Sequence, residues 1–138
     1  MVITQELCLQ TQGYTDIRDI TSEIVAKIRE SGLQSGIVTV FCPGSTGGLT
    51  TIEYENGALG DLKEILEEIA PVGRDYQHHL RWADDNGSAH VRAALVGPSL
   101  TVPFVERNLT LGTWQQIVFI DFDTRPRSRQ LILQLMGE

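Results

Sequence analysis

The sequence predicts an α+β fold whose sheet is largely antiparallel. Strand-like and helix-like segments alternate up to residue 99, whereas only strand-like segments follow from residue 100 onwards. These late segments occupy residues 100–105, 108–111, 115–122 and 129–136, with turn-like residues between them. Strands joined by short turns pair as antiparallel neighbours, and a run of them leaves sheet edges that a subunit partner could cover.

The composition is that of a soluble globular protein, and we expect one domain over residues 1–138 because we find no repeat or linker. The net charge of −7 provides no global field for nucleic acid. No apolar run reaches the ~20 residues of a membrane span, and the N-terminus lacks a signal-peptide pattern. We therefore expect a cytoplasmic protein without nucleic-acid or membrane partners. Cys8 and Cys42 have no CxxC spacing, which argues against a thiolate metal site.

The first elements are a strand over residues 2–11 and a helix over residues 19–33. In the helix, Ile20, Ile24 and Ile28 recur every four residues, and Gly32 would end it. Three residues could cap its N-terminus, namely Asp19, Thr21 and Ser22. The apolar run 37–42 then predicts a buried strand, and residues 49–54 predict a further strand.

A second helix is predicted over residues 58–70, with its apolar side chains on one stripe and Pro71 after its end. The stripe consists of Leu59, Leu62, Ile65, Leu66 and Ile69. A third, shorter helix is predicted over residues 89–97, where Gly97 and Pro98 end it. The fold should therefore contain two to three helices beside its sheet.

The segment 76–90, YQHHLRWADDNGSAH, contains all three histidines of the chain. Imidazoles are common metal ligands and general acids or bases, and Asp84 and Asp85 could complete a metal site. No HExxH or zinc-finger spacing is present, so a plain polar turn at DDNG explains the pattern as well. Its length of ~18 residues between two predicted helices favours a functional loop, because long loops in compact domains are often functional.

Two further segments are candidates for anion binding. In FCPGSTGG, residues 41–48, glycines let a backbone approach a ligand, with Ser45 and Thr46 as hydroxyl donors. Neither the P-loop nor the GxSxG pattern is present, and a tight strand connection is the alternative. In TRPRSR, Arg125, Arg127 and Arg129 alternate, which indicates either a solvated face or a local anion site.

Three other positions have chemistry that a site could use. Glu53 lies in a predicted strand with buried neighbours, so its carboxylate would need a partner. Ser99 follows the Gly97-Pro98 turn, and the turn at residues 112–115, GTWQ, separates two strands. Tryptophan in such a turn is more often a core or interface residue than a substrate platform.

Five motifs follow one another along the chain: PGSTGGLTTIEYE, YxH…DDNxxAH, GPSLTVP, LGTWQQI and FD…RPR. Taken in this order, they resemble the motifs of the YjbQ family, also called UPF0047. The resemblance extends over nearly the whole chain. It implies an α+β fold with a β-sandwich-like core and a homotrimer. The family is labelled secondary thiamine-phosphate synthase, so the resemblance also implies that activity. The reaction is a transfer that joins a pyrimidine pyrophosphate to a thiazole phosphate.

The resemblance carries over a set of site positions. The positions implied as catalytic are His78, His90, Asn86 and Glu53. Those implied to bind an anion or substrate are Ser45, Thr46, Ser99, Thr113, Gln115 and Arg127. Other motif positions are Tyr76, Gly112 and Trp114.

His78 and His90 are also the expected ligands of a divalent metal ion, zinc or magnesium. Many family members have a histidine at the position of Gly44, so this chain would lack a third histidine ligand. The arginine turn DTRPR also differs from a shorter DGPR form. The sequence thus predicts either a phosphate-handling transferase or a non-catalytic trimer that binds a small anionic metabolite or a metal ion. A purely structural trimer is a third possibility.

Overall fold

The computed structural model describes all 138 residues, which form eight strands and four helices. The strands are β1 (Val2–Thr11), β2 (Asp16–Asp19), β3 (Gly36–Phe41), β4 (Gly47–Ile52), β5 (Ser99–Val105), β6 (Asn108–Leu109), β7 (Gln116–Asp121) and β8 (Arg127–Gly137). The helices are α1 (Thr21–Ser31), α2 (Asn56–Ile69), α3 (Gln77–Trp82) and α4 (Gly87–Val96).

The strands form two antiparallel sheets that face each other across the main core. The larger sheet has the order β1-β8-β3-β5-β6 and the smaller one the order β2-β7-β4. Alternate residues of β8, Leu131, Leu133 and Leu135, are fully buried between the sheets. From the smaller sheet, Leu49 and Phe119 enter the same cluster. This confirms the predicted α+β fold with a sandwich-like, antiparallel core.

The smaller sheet is covered on its second face by α2 and α4. On strand β7, Ile117 and Phe119 enter the main core, whereas Val118 and Ile120 enter a second cluster with Leu66 of α2. The strand is therefore buried on both faces, which explains its unbroken apolar run. Its C-terminal end positions the polar residues of the candidate site.

The predicted boundaries of α1 are close to those observed. Gly32 ends the helix with a left-handed φ of 79°, a conformation that suits glycine. The predicted caps were wrong, because the N-cap residue is Ile20, which makes no side-chain cap hydrogen bond. Asp19, just before it, accepts a hydrogen bond from the backbone N–H of Thr21 through Oδ1 at 3.0 Å. Ile24 and Ile28 are fully buried, as the spacing predicted.

Three expectations were wrong in detail. The supposed loop between the last two predicted helices contains the short helix α3. Only Leu66 of the α2 stripe is fully buried, while Ile65 and Ile69 are about half exposed (51% and 54%), because the stripe is wider than the sheet face it covers. Glu53 lies beyond the end of β4 and is exposed, since the chain turns there towards α2, whose start is capped by Glu55.

Both cysteines are unpaired, and only Cys42 is buried. Burial raises the pKa of the Cys42 thiol. Cys8 lies on the exposed side of β1. None of the four helices combines the length and the apolar composition required to cross a bilayer.

Candidate functional site

The structure brings two of the three histidines into contact. The rings of His78 on α3 and His90 on α4 have centroids 4.4 Å apart and are tilted by 44°. This contact needs a close approach of the two helices, which Gly87 permits, because a Cβ atom there would lie 2.4 Å from Cβ of Tyr76. His79 is instead paired with Asp85, at 2.9 Å between Nδ1 and Oδ1. The third histidine is therefore not part of the contact.

His90 lies where two open cavities meet. One, of about 430 Å³, is also lined by Arg74, Tyr76 and His78. The other, of about 370 Å³, is also lined by Gly44 and Ser45 of the turn after β3. Grooves of this size with convergent polar groups are typical ligand sites. We call the two cavities together the histidine groove.

A buried carboxylate joins three of the predicted site residues. Oδ2 of Asp123 accepts hydrogen bonds from Thr46 Oγ1 at 3.1 Å and from Asn86 Nδ2 at 3.4 Å. It also accepts from Nε and Nη2 of Arg127, at 3.1 and 3.0 Å. Asp123 is only 1% exposed. Residues from three separate motifs thus converge on one oxygen atom, and their side chains are held in place by it.

A second buried carboxylate supports the first. Arg129 donates from Nε and Nη2 to the two oxygens of Asp121, at 2.7 and 2.9 Å. Its Nη2 also donates to Thr46 Oγ1 at 2.7 Å, and Thr11 donates its hydroxyl to Asp121. Bidentate pairing of this kind is among the stronger polar interactions in proteins. The pair therefore anchors the turn that contains Thr46.

Two of the three alternating arginines bind carboxylates of the protein itself. Arg127 and Arg129 bind the protein's own carboxylates, while Arg125 is exposed and has no ion pair. Arg127 is partly exposed, and its Nη1 makes no hydrogen bond within the chain. That nitrogen remains available to a ligand.

Both buried carboxylates titrate below their ordinary range. Burial raises the pKa of Asp121, but hydrogen bonds from Arg129, Thr11 and the Asp123 backbone outweigh it and lower the pKa overall. For Asp123, burial is likewise outweighed by hydrogen bonds from Arg127, Asn86 and Thr46. Both groups are therefore ionised near neutral pH.

Stability should accordingly fall in acid. Both carboxylates have a lower pKa in the folded state than the ordinary Asp value of 3.8, which applies in the unfolded chain. As the pH falls, the unfolded chain therefore binds protons before the folded protein does, and this favours unfolding. The contribution of Asp121 and Asp123 is thus complete above about pH 5 and is lost as the pH falls through the lower folded pKa. Urea unfolding measured between about pH 7 and pH 2 tests this. If the unfolding free energy of an Asp123→Asn variant fell as steeply in acid as that of the unchanged protein, the contribution of Asp123 would be contradicted.

Other predicted site residues lie elsewhere. None of Glu53, Ser99, Thr113 and Gln115 lines the histidine groove. Gln115 instead closes its own turn, accepting from Gly112 N at 3.0 Å and donating to Thr51 Oγ1 at 3.1 Å. Trp114 is 73% exposed and so is not a core residue of this chain.

The residues around His78 and Gly44 bear on the expected metal site. No group of three or more histidine, cysteine, aspartate or glutamate side chains is arranged to hold a metal ion. Nδ1 of His78 lies 3.1 Å from Oδ1 of Asp84, but the two atoms are not aligned for a hydrogen bond. Gly44, where the resemblance implies a histidine, has a φ of 151° that suits glycine, and a Cβ there would lie 3.3 Å from Nη1 of Arg129.

The divalent ion expected from the resemblance remains a prediction that elemental analysis can test. With only two imidazoles available, bound zinc should be below stoichiometric amounts after dialysis, and His90→Ala should remove it. His79→Ala is the matched control, because His79 is outside the ring contact. Zinc content that His90→Ala leaves unchanged would show that the histidine groove is not its site.

The residues that the sequence did not reveal are Asp121, Asp123 and Arg74. The two aspartates end an apolar run, IVFIDFD, and a charge at such a position needs a partner. The alternating arginines six residues later were the available signal, since DxD and RxR have the same spacing. Arg74 had no such signal, and only the fold places it beside His78.

Comparisons with known proteins agree with this architecture. Residues 5–138 match the family model described as UPF0047 protein YjbQ-like. A UPF0047 protein of Methanothermobacter thermautotrophicus is 38% identical over 99% of this chain and 94% of its own length. YugU of Bacillus subtilis, also a UPF0047 protein, is 33% identical over 95% of this chain and 97% of its own length.

Solved structures show the same fold. A YbjQ-like protein of unknown function from Sulfolobus solfataricus superimposes with a TM-score of 0.93 at 28% identity, covering 100% of this chain and 99% of the other. An uncharacterized YjbQ/UPF0047 protein from Clostridium acetobutylicum gives a TM-score of 0.86 at 32% identity, covering 96% and 99%.

Proposed function

Because the chain belongs to the YjbQ-like UPF0047 family, we propose that its histidine groove binds a phosphate-bearing small molecule and transfers protons to or from it. The observation that carries the proposal is the position of His90, which lines both cavities and contacts the ring of His78. Imidazole exchanges protons readily near neutral pH, which suits it to general acid–base catalysis.

The reaction we propose is the transfer by which the family is labelled, joining a pyrimidine pyrophosphate to a thiazole phosphate with release of pyrophosphate. In such a transfer the protein positions two substrates and neutralises the charge of the departing group. His90 or His78 would donate a hydrogen bond or proton to that group. Arg74, which lines the groove, would supply positive charge to that group.

The second candidate is a binding protein for a small anionic metabolite. It is favoured by the fact that Thr46 and Asn86 already direct their donors at Asp123, which leaves few polar groups free for chemistry. Both candidates use the same groove, and they differ in whether a product forms.

Turnover distinguishes the two candidates. The full chain is incubated with the pyrimidine pyrophosphate and the thiazole phosphate, and thiamine phosphate and pyrophosphate are quantified. We expect both products in equal amounts. Pyrophosphate binding without any product would overturn the transferase and support the binding protein.

We also propose that the chain assembles as a homotrimer, as the resemblance implies. Large apolar side chains are exposed on the outer face of the larger sheet and on α2 and α4. They include Ile37, Phe41, Val105, Met136, Ile65, Ile69 and Leu95. Exposed apolar groups of this kind are typical of subunit contacts. Analytical ultracentrifugation should give about three times the chain mass, and a monomer at micromolar concentration would contradict the trimer.

A further inference from the structure

A second cleft lies beside α4, away from the histidine groove. Its volume is about 210 Å³, and its polar lining includes Thr15, Lys63, Glu67, Ser88 and Arg92. We call it the Arg92 cleft. None of these five residues lines the histidine groove.

The two sites use different faces of the same helix. Ser88 and Arg92 are four residues apart and therefore share one face of α4. His90 and Ala94 are also four apart and line the groove from a different face. A ligand in the cleft would therefore be separated from the histidines by the helix itself.

Arg92 is the centre of the cleft. It is 5% exposed and donates from Nε to the Ala70 carbonyl at 2.9 Å, from Nη1 to Thr15 Oγ1 at 2.9 Å and from Nη2 to Glu67 Oε2 at 2.7 Å. A guanidinium has five N–H donors, so one on each terminal nitrogen remains without a partner in the chain. Burying such donors is unfavourable unless something accepts from them.

Other donors line the same space. Ser88 is 3% exposed and lines the cleft, and its hydroxyl makes no side-chain hydrogen bond within the chain. The Thr15 hydroxyl accepts from Arg92, so its own proton is free to be donated. Lys63 has no ion pair, whereas the only other lysine, Lys27, is paired with Glu30 at 3.4 Å.

The backbone that presents Thr15 is unusual. Gly13, Tyr14 and Thr15 have consecutive left-handed φ values of 79°, 53° and 64°. Two hydrogen bonds maintain this conformation, from Tyr14 N to the Asp123 carbonyl at 2.8 Å and from Thr15 N to the Asp121 carbonyl at 2.9 Å. Left-handed non-glycine residues cost free energy, and they persist because surrounding contacts hold them.

From these contacts we propose that the Arg92 cleft binds a small oxyanion, namely a phosphoryl group as inorganic phosphate or at the end of a phosphate monoester. The cleft offers donors from Arg92, Ser88, Thr15 and Lys63. Its one carboxylate, Glu67, is already paired with Arg92. The net charge of the lining is therefore positive in a protein of net charge −7. Its small volume suits a phosphoryl group better than a larger metabolite.

The test is a titration of the ¹⁵N-labelled full chain with inorganic phosphate, followed by NMR. The backbone amides of Thr15, Ser88 and Arg92 should shift together, with a dissociation constant of about 1 mM or lower. Position-specific shifts separate this cleft from the histidine groove, so the two proposals fail or succeed independently. Methyl phosphate as a second probe distinguishes a monoester from the free ion.

Two variants and a matched control decide the role of the residues. Lys63→Ala and Ser88→Ala leave the buried Arg92 contacts in place, and each should weaken binding at these amides by roughly fivefold. Lys27→Ala removes an equal charge elsewhere and should leave the affinity unchanged. The proposal is overturned if the cleft amides do not shift. It is also overturned if Lys27→Ala weakens binding as much as Lys63→Ala does, because a general charge effect would then explain it.

Discussion

Replacing Arg129 by alanine should lower the free energy of unfolding by about 3–5 kcal/mol, the range for breaking a buried ion pair. Asp121 is fully buried and would keep its charge while losing both guanidinium hydrogen bonds. Thr46 would lose a hydrogen bond as well. Urea denaturation monitored by circular dichroism gives the difference directly.

The matched control is Arg18→Ala. Arg18 also pairs with an aspartate, Asp16, at 3.0 Å, but its side chain is 42% exposed. Exposed pairs contribute about 0–1 kcal/mol, so the two losses should differ several-fold. Equal small losses in both variants would show that the Asp121–Arg129 pair does not anchor the fold near the site.

Replacing His90 by alanine should lower kcat of the proposed transfer by about 10²- to 10⁴-fold, the usual contribution of a general acid or base. The affinity for pyrophosphate should change much less, because Arg74 would still neutralise part of its charge. His90 is half-buried in α4, and alanine is compatible with a helix. Kinetics and direct binding are therefore measured on the same folded variant.

His79→Ala is again the control, and it should keep both kcat and affinity. His79 pairs with Asp85 and does not take part in the ring contact. Loss of kcat and affinity in equal measure in His90→Ala would favour the binding protein over the enzyme. Loss of neither would indicate that the groove has no functional role.

Much of the fold follows from apolar periodicity. The regular spacing of Ile24 and Ile28 located α1, and the strand-like segment 129–136 located β8. The short helix α3 was missed because a six-residue helix with no buried residue has no apolar stripe to detect.

The site was predictable only where its residues are clustered in the sequence. His78 and His90 stood out because all histidines lie in one segment, yet only the fold separates His79 from the pair. Asp121 and Asp123 were hidden at the end of a buried strand, and their arginine partners lie on the other sheet. The equal spacing of DxD and RxR indicates a pairing, but only the packing of the two sheets shows which arginine pairs with which aspartate.

The most direct test of the histidine groove is an NMR titration of the imidazole ¹⁵N signals with pyrophosphate. The chain has only three histidines, so all of them can be followed at once. We expect the signals of His78 and His90 to shift with one common dissociation constant, while those of His79 remain unchanged. No shift at His78 and His90 at saturating pyrophosphate, or a shift confined to His79, would contradict the account.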